Sequence, residues 1–249
     1  MEVLKFTLKG KTAFFKKPDV NTYLYYTYGN IHKCAILGVL GSILGYSGYN
    51  AEKLKSEIAK SKKIYLPEYY EKLKDLKISI VPLSKDGFIS KKIQSFNNSV
   101  GYASKETGGN LIVKEQWLEN PAWTIYILLD SDESKTLADF ILNNKSVFNP
   151  YLGKNDHPAD IADVEIIKDV NTVDSYSKID SLAFKKDFEI IFDDEAEEDY
   201  FKYEEYLPLK LNEETSLYIL EKFLYTNMEV KSKGEVQVFN IQGKNIVFY

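Results

Sequence analysis

Four glycines spaced along one apolar segment constrain this fold more than any other feature of the chain. Residues 28–49 read YGNIHKCAILGVLGSILGYSGY, with glycines at 38, 41, 45 and 48, so all four would fall on one stripe of a helix. Glycine inside a helix costs about 1 kcal/mol relative to alanine, and close packing of another backbone on the stripe would compensate. The apolar run from Cys34 to Leu44 is too short to cross a bilayer, which takes about 20 residues. We therefore expect a buried helix in a soluble fold.

The composition is that of a globular protein with a sizeable core. The chain has 249 residues, of which 44% are hydrophobic, enough for one large domain or two small ones. Its start runs straight into a strand pattern without an apolar targeting segment. The single cysteine, Cys34, excludes an internal disulfide and a multi-thiolate metal site. We expect a cytoplasmic protein with no membrane association, no cofactor and no metal ion.

All 32 cationic residues are lysine, which excludes bidentate arginine recognition of phosphate or guanine. Residues 1–129 carry 19 lysines against 11 acidic residues, a net charge of +8, and residues 130–249 carry 13 against 26, a net of −13. A lineage rich in lysine and glutamate would explain the totals. The clustering of lysines beside aromatic residues favours a polyanion-facing N-terminal half.

Hydrophobic periodicity predicts an α+β fold with the element order β-α-β-insertion-β-α-β. This is the ferredoxin-like or RRM-like core, an antiparallel sheet with two helices on one face, and the glycine stripe would let the first helix lie close on that sheet. We place the core domain at residues 1–175, a long insertion at 84–110 between the second and third core strands, and a β-rich subdomain with an acidic loop, 193–199, at residues 176–249. The predicted core elements are Val3–Leu8, Ile31–Gly45, Lys77–Leu83, Trp123–Leu129, Ser134–Asn143 and Ile161–Lys168.

The segment KGKTAFFKK at 9–17, followed by closely spaced tyrosines, combines cations with aromatic rings. That combination suits single-stranded nucleic acid, in which lysine meets phosphate and rings stack on bases. A basic strand end followed by a tyrosine-rich hairpin is the structural alternative. The start of the first helix would add an anion-favouring end. The candidate RNA-binding residues are Lys9, Lys11, Phe14, Lys16, Lys17, Tyr23, Tyr25, Tyr26, His32 and Lys33.

The insertion is polar, basic and without sustained periodicity. A loop this long inside a compact domain is usually functional, so a basic hairpin arm and a plain surface loop are both open. Its candidate contact residues are Lys91, Lys92, Phe96, Asn97, Asn98, Tyr102 and Lys105.

Catalytic motifs are scarce. The chain contains no HExxH, Walker A or GxSxG sequence and only two histidines. A metal-independent ribonuclease can work with tyrosine, lysine and histidine, and His32, Lys33 and Tyr46 are the set that could serve. His157 reads as a turn residue. We expect a protein that is not an enzyme, with the ribonuclease as the alternative.

Three blocks of this chain resemble the Cas-five family of CRISPR surveillance-complex (Cascade) subunits, most closely its type I-B branch. They are KFTLKGKTAFFKKPDVNTY running into HKCAILGVLGSILGY, then NLIVKEQWLENPAWTIYILL, then FNPYLGKNDHPADI. They occur in the family's order over about residues 3–166, and the first block is the most specific.

The resemblance implies a RAMP-type ferredoxin-like core that holds the 5′ handle of the CRISPR RNA. It implies partners as well: a row of Cas-seven backbone subunits that this chain would cap, and the large Cas-eight subunit, through which target DNA is met indirectly. Insertion 84–110 would be the thumb that presses on the guide strand. The type I-C branch cuts repeat RNA itself, but its Lys-His pair has no counterpart in this insertion, so a separate Cas-six ribonuclease would do the cutting.

Overall fold

The computed structural model describes residues 1–19, 22–58, 60, 66–97, 105, 107, 109, 111–192 and 199–249. Among them no helix is long and apolar enough to span a membrane. The helices are α1 Lys33–Leu44, α2 Tyr49–Ile58, α3 Glu68–Leu73 and α4 Asp132–Leu142. The strands are β1 Val3–Lys9, β2 Thr12–Ala13, β3 Ile78–Pro82, β4 Lys91–Asn97, β5 Ile112–Glu119, β6 Ala122–Leu128, β7 Asp160–Ile167, β8 Asn171–Val173, β9 Ala183–Phe184, β10 Phe188–Ile191, β11 Lys202–Leu211, β12 Tyr218–Thr226, β13 Glu229–Ser232, β14 Val238–Ile241 and β15 Lys244–Ile246.

The central sheet has the order β3-β6-β1-β7, and every neighbouring pair in it is antiparallel. Strands β1 and β3, joined through α1, therefore run parallel with β6 between them. Strands β6 and β7, joined through α4, run parallel with β1 between them. Each half is a βαβ unit split by a strand of the other half. The α+β class and the predicted order of the core elements are confirmed.

Alternation along the strands divides the sheet into two apolar faces. Leu4, Phe6 and Leu8 of β1 point to one face, which α1 and α4 cover with residues such as Leu37 and Leu137. These side chains belong to the largest core cluster and are fully buried. Strand β6 is buried over nearly its whole length, as its continuous apolar run predicts.

The second face of the sheet is also covered. Val3, Tyr126 and Leu128 on this face pack with Phe239 of β14 and Ile246 of β15 in a separate buried cluster. In an RRM the face without helices presents aromatic residues to RNA. In this chain the C-terminal strands occupy part of that face, so the candidate nucleic-acid surface must be sought elsewhere.

The prediction that the glycine stripe packs on the sheet is wrong. Helix α1 ends at Leu44, and Gly45 caps it with a φ of 81°, the left-handed conformation common after a helix end. Gly41 faces helix α3 instead: a Cβ built on Gly41 would lie 2.3 Å from the Cβ of Tyr69. A Cβ on Gly38 would meet no atom within 4 Å, and Gly48 lies beyond the helix. Within the stripe, Gly41 therefore allows a close contact with α3, and Gly38 leaves the helix surface open.

The insertion forms a hairpin of β4 and β5, paired from Lys91↔Leu118 to Asn97↔Ile112. It reaches past residue 110, where the prediction ended it, because β5 continues to Glu119. Strand β2 and the main chain of Tyr25 pair with β5 on its other side. The tyrosine-rich segment is thus held by the base of the hairpin.

The C-terminal residues are rich in strands, as predicted, and their longest hairpin packs on α1. Leu207 and Leu211 of β11 and Phe223 of β12 belong to the same core cluster as β1 and α1. The division at residue 175 stays a prediction. The sequence reading missed β11, which carries paired glutamates and Pro208; that proline stands at a register shift of the hairpin, where a strand tolerates it.

Candidate nucleic-acid interface

A long groove runs beside helix α1. We call it the α1 groove. Its volume is about 1530 Å³, larger than the roughly 300–1,000 Å³ typical of pockets for small molecules. One wall comes from residues 46–51 with Tyr69 and Tyr218, and the other from Tyr23, Tyr25 and the start of β5. The loop 151–156 closes one side. Its size suits a polymer.

More than a third of the described residues that line the α1 groove are aromatic. The rings belong to Phe14, Phe15, Tyr23, Tyr25, Tyr46, Tyr49, Tyr69, Phe96, Phe148, Tyr151 and Tyr218. Flat apolar faces of this kind stack on nucleobases without regard to sequence. The groove therefore offers the stacking surface that single-stranded nucleic acid requires.

Of the residues that the structure describes, three lysines reach the same groove: Lys16, Lys114 and Lys154. Lys16 and Lys114 are exposed, and the Lys16 ammonium lies 4.0 Å from the centroid of the Tyr25 ring. Lys154 is already paired, since its Nζ lies 3.0 Å from Oε1 of the buried Glu115. The groove thus carries two exposed cations beside its rings.

Two tyrosines stand at the mouth of the groove for different structural reasons. The Tyr25 N–H donates to the Lys114 carbonyl at 2.9 Å, and the Gln116 N–H donates to the Tyr25 carbonyl at 2.9 Å, so hairpin β4-β5 fixes Tyr25. Tyr23 is 96% exposed and has a φ of 61°, which is uncommon for a large residue. A fully exposed ring on such a backbone is a candidate contact residue.

Lys17 points away from the groove into an internal ion pair. Its Nζ lies 2.5 Å from Oε1 of Glu205 on β11. The other oxygen of Glu205 accepts the Gly29 N–H at 2.7 Å and the hydroxyl of Tyr203. One carboxylate from the C-terminal hairpin thus holds both arms of the tyrosine-rich segment. The Lys17 ammonium is therefore paired within the protein.

The structure places His32 and Lys33 on different sides of the α1 start. His32 caps the helix, accepting the Ala35 N–H at Nδ1 over 3.2 Å, and its ring lines the α1 groove. The Lys33 ammonium donates to the main-chain oxygen of Tyr249 at 3.0 Å. His32 is the N-cap and has an extended backbone, whereas Lys33 is the first helical residue, so the two side chains leave the main chain in different directions.

Of the residue set proposed for a ribonuclease, His32 and Tyr46 line the α1 groove, whereas the Lys33 ammonium is held by the Tyr249 main chain. His32 is only 4% exposed, and burial lowers its pKa to about 3. His157 is fully buried, bonds Thr12 through Nδ1 at 2.7 Å, and packs against the Trp117 ring. Its main chain lies in a turn, as predicted, since the His157 N–H donates to the Lys154 carbonyl at 3.0 Å, while its side chain is part of the core.

The remaining candidates divide between the hairpin and the outer surface. Phe96 lines the groove, while Lys92 lies 3.6 Å from Glu119 on the other arm of the hairpin. Lys91 is half-buried, and that burial lowers its pKa. Asn97 and Lys105 are exposed, and Asn98 and Tyr102 lie outside the described residues. Lys9, Lys11 and Tyr26 are exposed but do not line the groove.

Sequence reasoning missed several groove residues. Tyr49, Tyr69 and Tyr218 come from three separate elements, and only the packing of α3 and β12 against α1 brings them together. Lys114 and Lys154 also escaped notice because each is a lone lysine in its own segment. Among the described residues, no three His, Cys, Asp or Glu side chains gather as a metal site requires.

The comparisons with known proteins give a likeness of fold. No family model matches the sequence, and no curated protein is similar to it. A chain of a solved "CRISPR RNA-guided surveillance complex" is similar in structure. It has a TM-score of 0.53 and 11% identity, over 93% of this chain and 91% of that one. A CRISPR protein from Archaeoglobus fulgidus has a TM-score of 0.47 and 14% identity, over 100% and 98%. At such identities, the first of these matches supports the fold.

Proposed function

We propose that this chain is a non-catalytic CRISPR RNA-binding subunit of a type I Cascade surveillance complex. In this role it holds the 5′ handle of the CRISPR RNA, caps a row of Cas-seven subunits and contacts the Cas-eight subunit. The observation that carries the RNA-binding part is the α1 groove, with its aromatic lining and exposed Lys16 and Lys114. The Cascade part rests on the resemblance of the three sequence blocks and is supported by the likeness of fold.

The RNA-binding test compares two pairs of lysines. The variant Lys16→Gln/Lys114→Gln removes the exposed charges of the groove, and Lys9→Gln/Lys11→Gln removes equal charge from outside it. The readout is the Kd for single-stranded RNA carrying a repeat-derived 5′ handle, measured over a range of salt concentrations. Each lost phosphate contact should reduce the salt slope by about 0.7.

We expect the groove variant to bind more weakly with a slope smaller by about 1.4, and the control to stay close to the wild type. Equal effects of the two variants would contradict the groove as the binding surface. Co-purification with Cas-seven and Cas-eight subunits and their CRISPR RNA tests the assembly role. A chain that never enters such a complex would contradict that part.

The alternative, a metal-independent ribonuclease that cuts repeat RNA, receives no support from the position of Lys33. Its test is incubation with repeat RNA in the presence of EDTA. Cleavage at one site that is lost in His32→Ala would overturn the non-catalytic proposal. We expect uncut RNA.

A further inference from the structure

The floor of the α1 groove is a line of small residues headed by a histidine. His32, Ala35, Gly38 and Ser42 all line the groove, and their spacing of three, three and four places them along one side of the helix. At Gly38 a Cβ would meet no atom within 4 Å. A ligand can therefore approach the helix backbone closely at this point.

His32 supplies an uncommitted hydrogen-bond donor at the head of this line. Because Nδ1 accepts the Ala35 N–H, the proton of the neutral ring lies on Nε2. Within the part of the chain that the structure describes, no hydrogen bond is made by Nε2. A ring N–H that has no acceptor within the protein is available to a ligand. A ligand bound in the α1 groove could supply the acceptor for the Nε2–H, because the His32 ring lines that groove.

The surroundings of His32 favour a flat, weakly polar acceptor. The rings of Phe15, Tyr28 and Tyr218 form T-shaped pairs with its ring at centroid distances of 5.8, 5.2 and 5.6 Å. Burial lowers the pKa of His32 to about 3, so the ring is neutral at physiological pH and offers no charge to a phosphate. A nucleobase presents carbonyl oxygens or ring nitrogens and an aromatic face, which fit both the donor and the rings.

We propose that His32 Nε2–H donates a hydrogen bond to one unpaired nucleobase of the bound RNA, whose strand then passes over the open backbone at Gly38. The two points lie about 9 Å apart along the helix axis, at 1.5 Å per residue. We call His32 Nε2 and the open backbone at Gly38 the base-contacting seat, and it rests on the proposed function of the groove as an RNA site. It adds a single base-contacting position within it.

The test uses His32→Asn together with abasic RNA. Asparagine is one of the best helix caps, so this variant keeps the cap of α1 and loses the Nε2 donor. Kd is measured for single-stranded handle RNA in which each base in turn is replaced by an abasic site. In the wild type, one position should show a marked loss. In His32→Asn, intact RNA should bind about three- to tenfold more weakly, and the abasic loss at that position should largely disappear.

Gly38→Leu blocks the path of the strand with a residue that favours helices. We expect it to remain folded in urea denaturation and to lose more than about tenfold in RNA affinity, as steric exclusion from a preformed site implies. Gly234→Leu is the control, since Gly234 also has open space around it and does not line the α1 groove.

The outcomes separate this seat from the function on which it rests. If the wild type binds no RNA, the proposed function fails. If it binds RNA and His32→Asn keeps both its affinity and its abasic profile, the seat is wrong and the groove stands. The ratio of the two Kd values should be constant between about pH 5 and 8, where an ordinary histidine titrates. A ratio that grows towards acid pH would mean a cationic contact to phosphate and would overturn the neutral donor.

Discussion

Gly38 and Gly41 lie inside the same helix, and replacing each with alanine should change stability in opposite directions. The helix-propensity gain is the same at both sites, about 1 kcal/mol. At Gly38 nothing opposes it, because the new Cβ meets no atom within 4 Å. Gly38→Ala should therefore raise the free energy of unfolding by about 0.5–1 kcal/mol.

At Gly41 the new Cβ would lie 2.3 Å from the Cβ and 3.1 Å from the Cγ of Tyr69. A Cβ cannot rotate away, so α3 would have to move, and the hydrogen bond from the Leu211 N–H to Tyr70 Oη, 2.8 Å long, would be disturbed with it. Overpacking of this kind costs about 1–3 kcal/mol. After the propensity gain, Gly41→Ala should be destabilised by up to about 2 kcal/mol, and Gly41→Leu should not fold.

Urea denaturation of the two alanine variants measures the difference directly. In thermal unfolding, each kcal/mol of that difference should shift the midpoint temperature Tm by about 2–4 °C in a chain of this size. Equal stabilisation by both substitutions would refute the contact between α1 and α3. Destabilisation at Gly38 would refute the open floor of the groove, on which the base-contacting seat also depends.

Three further predictions concern single contacts. Glu205→Ala should lose about 1–3 kcal/mol of unfolding free energy, because it leaves the Gly29 N–H without its acceptor. Glu204→Ala, which breaks a partly exposed ion pair with Lys222 on β12, should lose under about 1 kcal/mol in the same urea assay. Ser131→Ala should lose about 1 kcal/mol by removing the α4 cap, and a variant as stable as the wild type would contradict that cap. The pKa of His32 is about 3 in the folded chain against its usual 6.5. Burial of the neutral ring therefore stabilises the fold fully above pH 6.5, and this stabilisation decreases as the pH falls, by up to about 1.4 kcal/mol per pH unit. Urea denaturation of His32→Asn at several pH values should show a smaller loss of stability in acid than the wild type.

The core elements were predictable because their signals are local. Strand β6 is an unbroken apolar run, and Ser131 caps the start of α4 in a capping box that the Ser134 side chain completes. Strand β1 shows the period of two that places Leu4 and Phe6 in the core. In each of these elements, a pattern of a few neighbouring residues is enough to predict the secondary structure.

The partners of these elements were not predictable in the same way. The glycine stripe correctly indicated a close approach, but the sequence could not tell that Tyr69 of α3, rather than the sheet, makes it. Lys17 looked like a phosphate contact until Glu205, far along the chain, proved to hold it. Such pairings depend on tertiary geometry, which no local pattern carries.

The candidate site shows the same limit. From the cluster of lysines and aromatic residues before α1, Lys16, Tyr23 and Tyr25 line one wall of the groove, and their contact with RNA stays a prediction. The opposite wall, with Tyr49 and Tyr218, is assembled from distant segments. Its residues carry no shared motif from which the sequence could have revealed them.

The cover over the second face of the central sheet bears on how the chain is made. Val3 and Tyr126 are buried by Phe239 and Ile246, which are synthesised after the last strand of the central sheet ends at Ile167. At about 5–20 residues per second, a ribosome needs several seconds to make the stretch between. During that interval a nascent sheet would expose an apolar face to solvent. Contacts so distant in sequence also slow folding, so newly made chains should depend on chaperones until their last strands emerge.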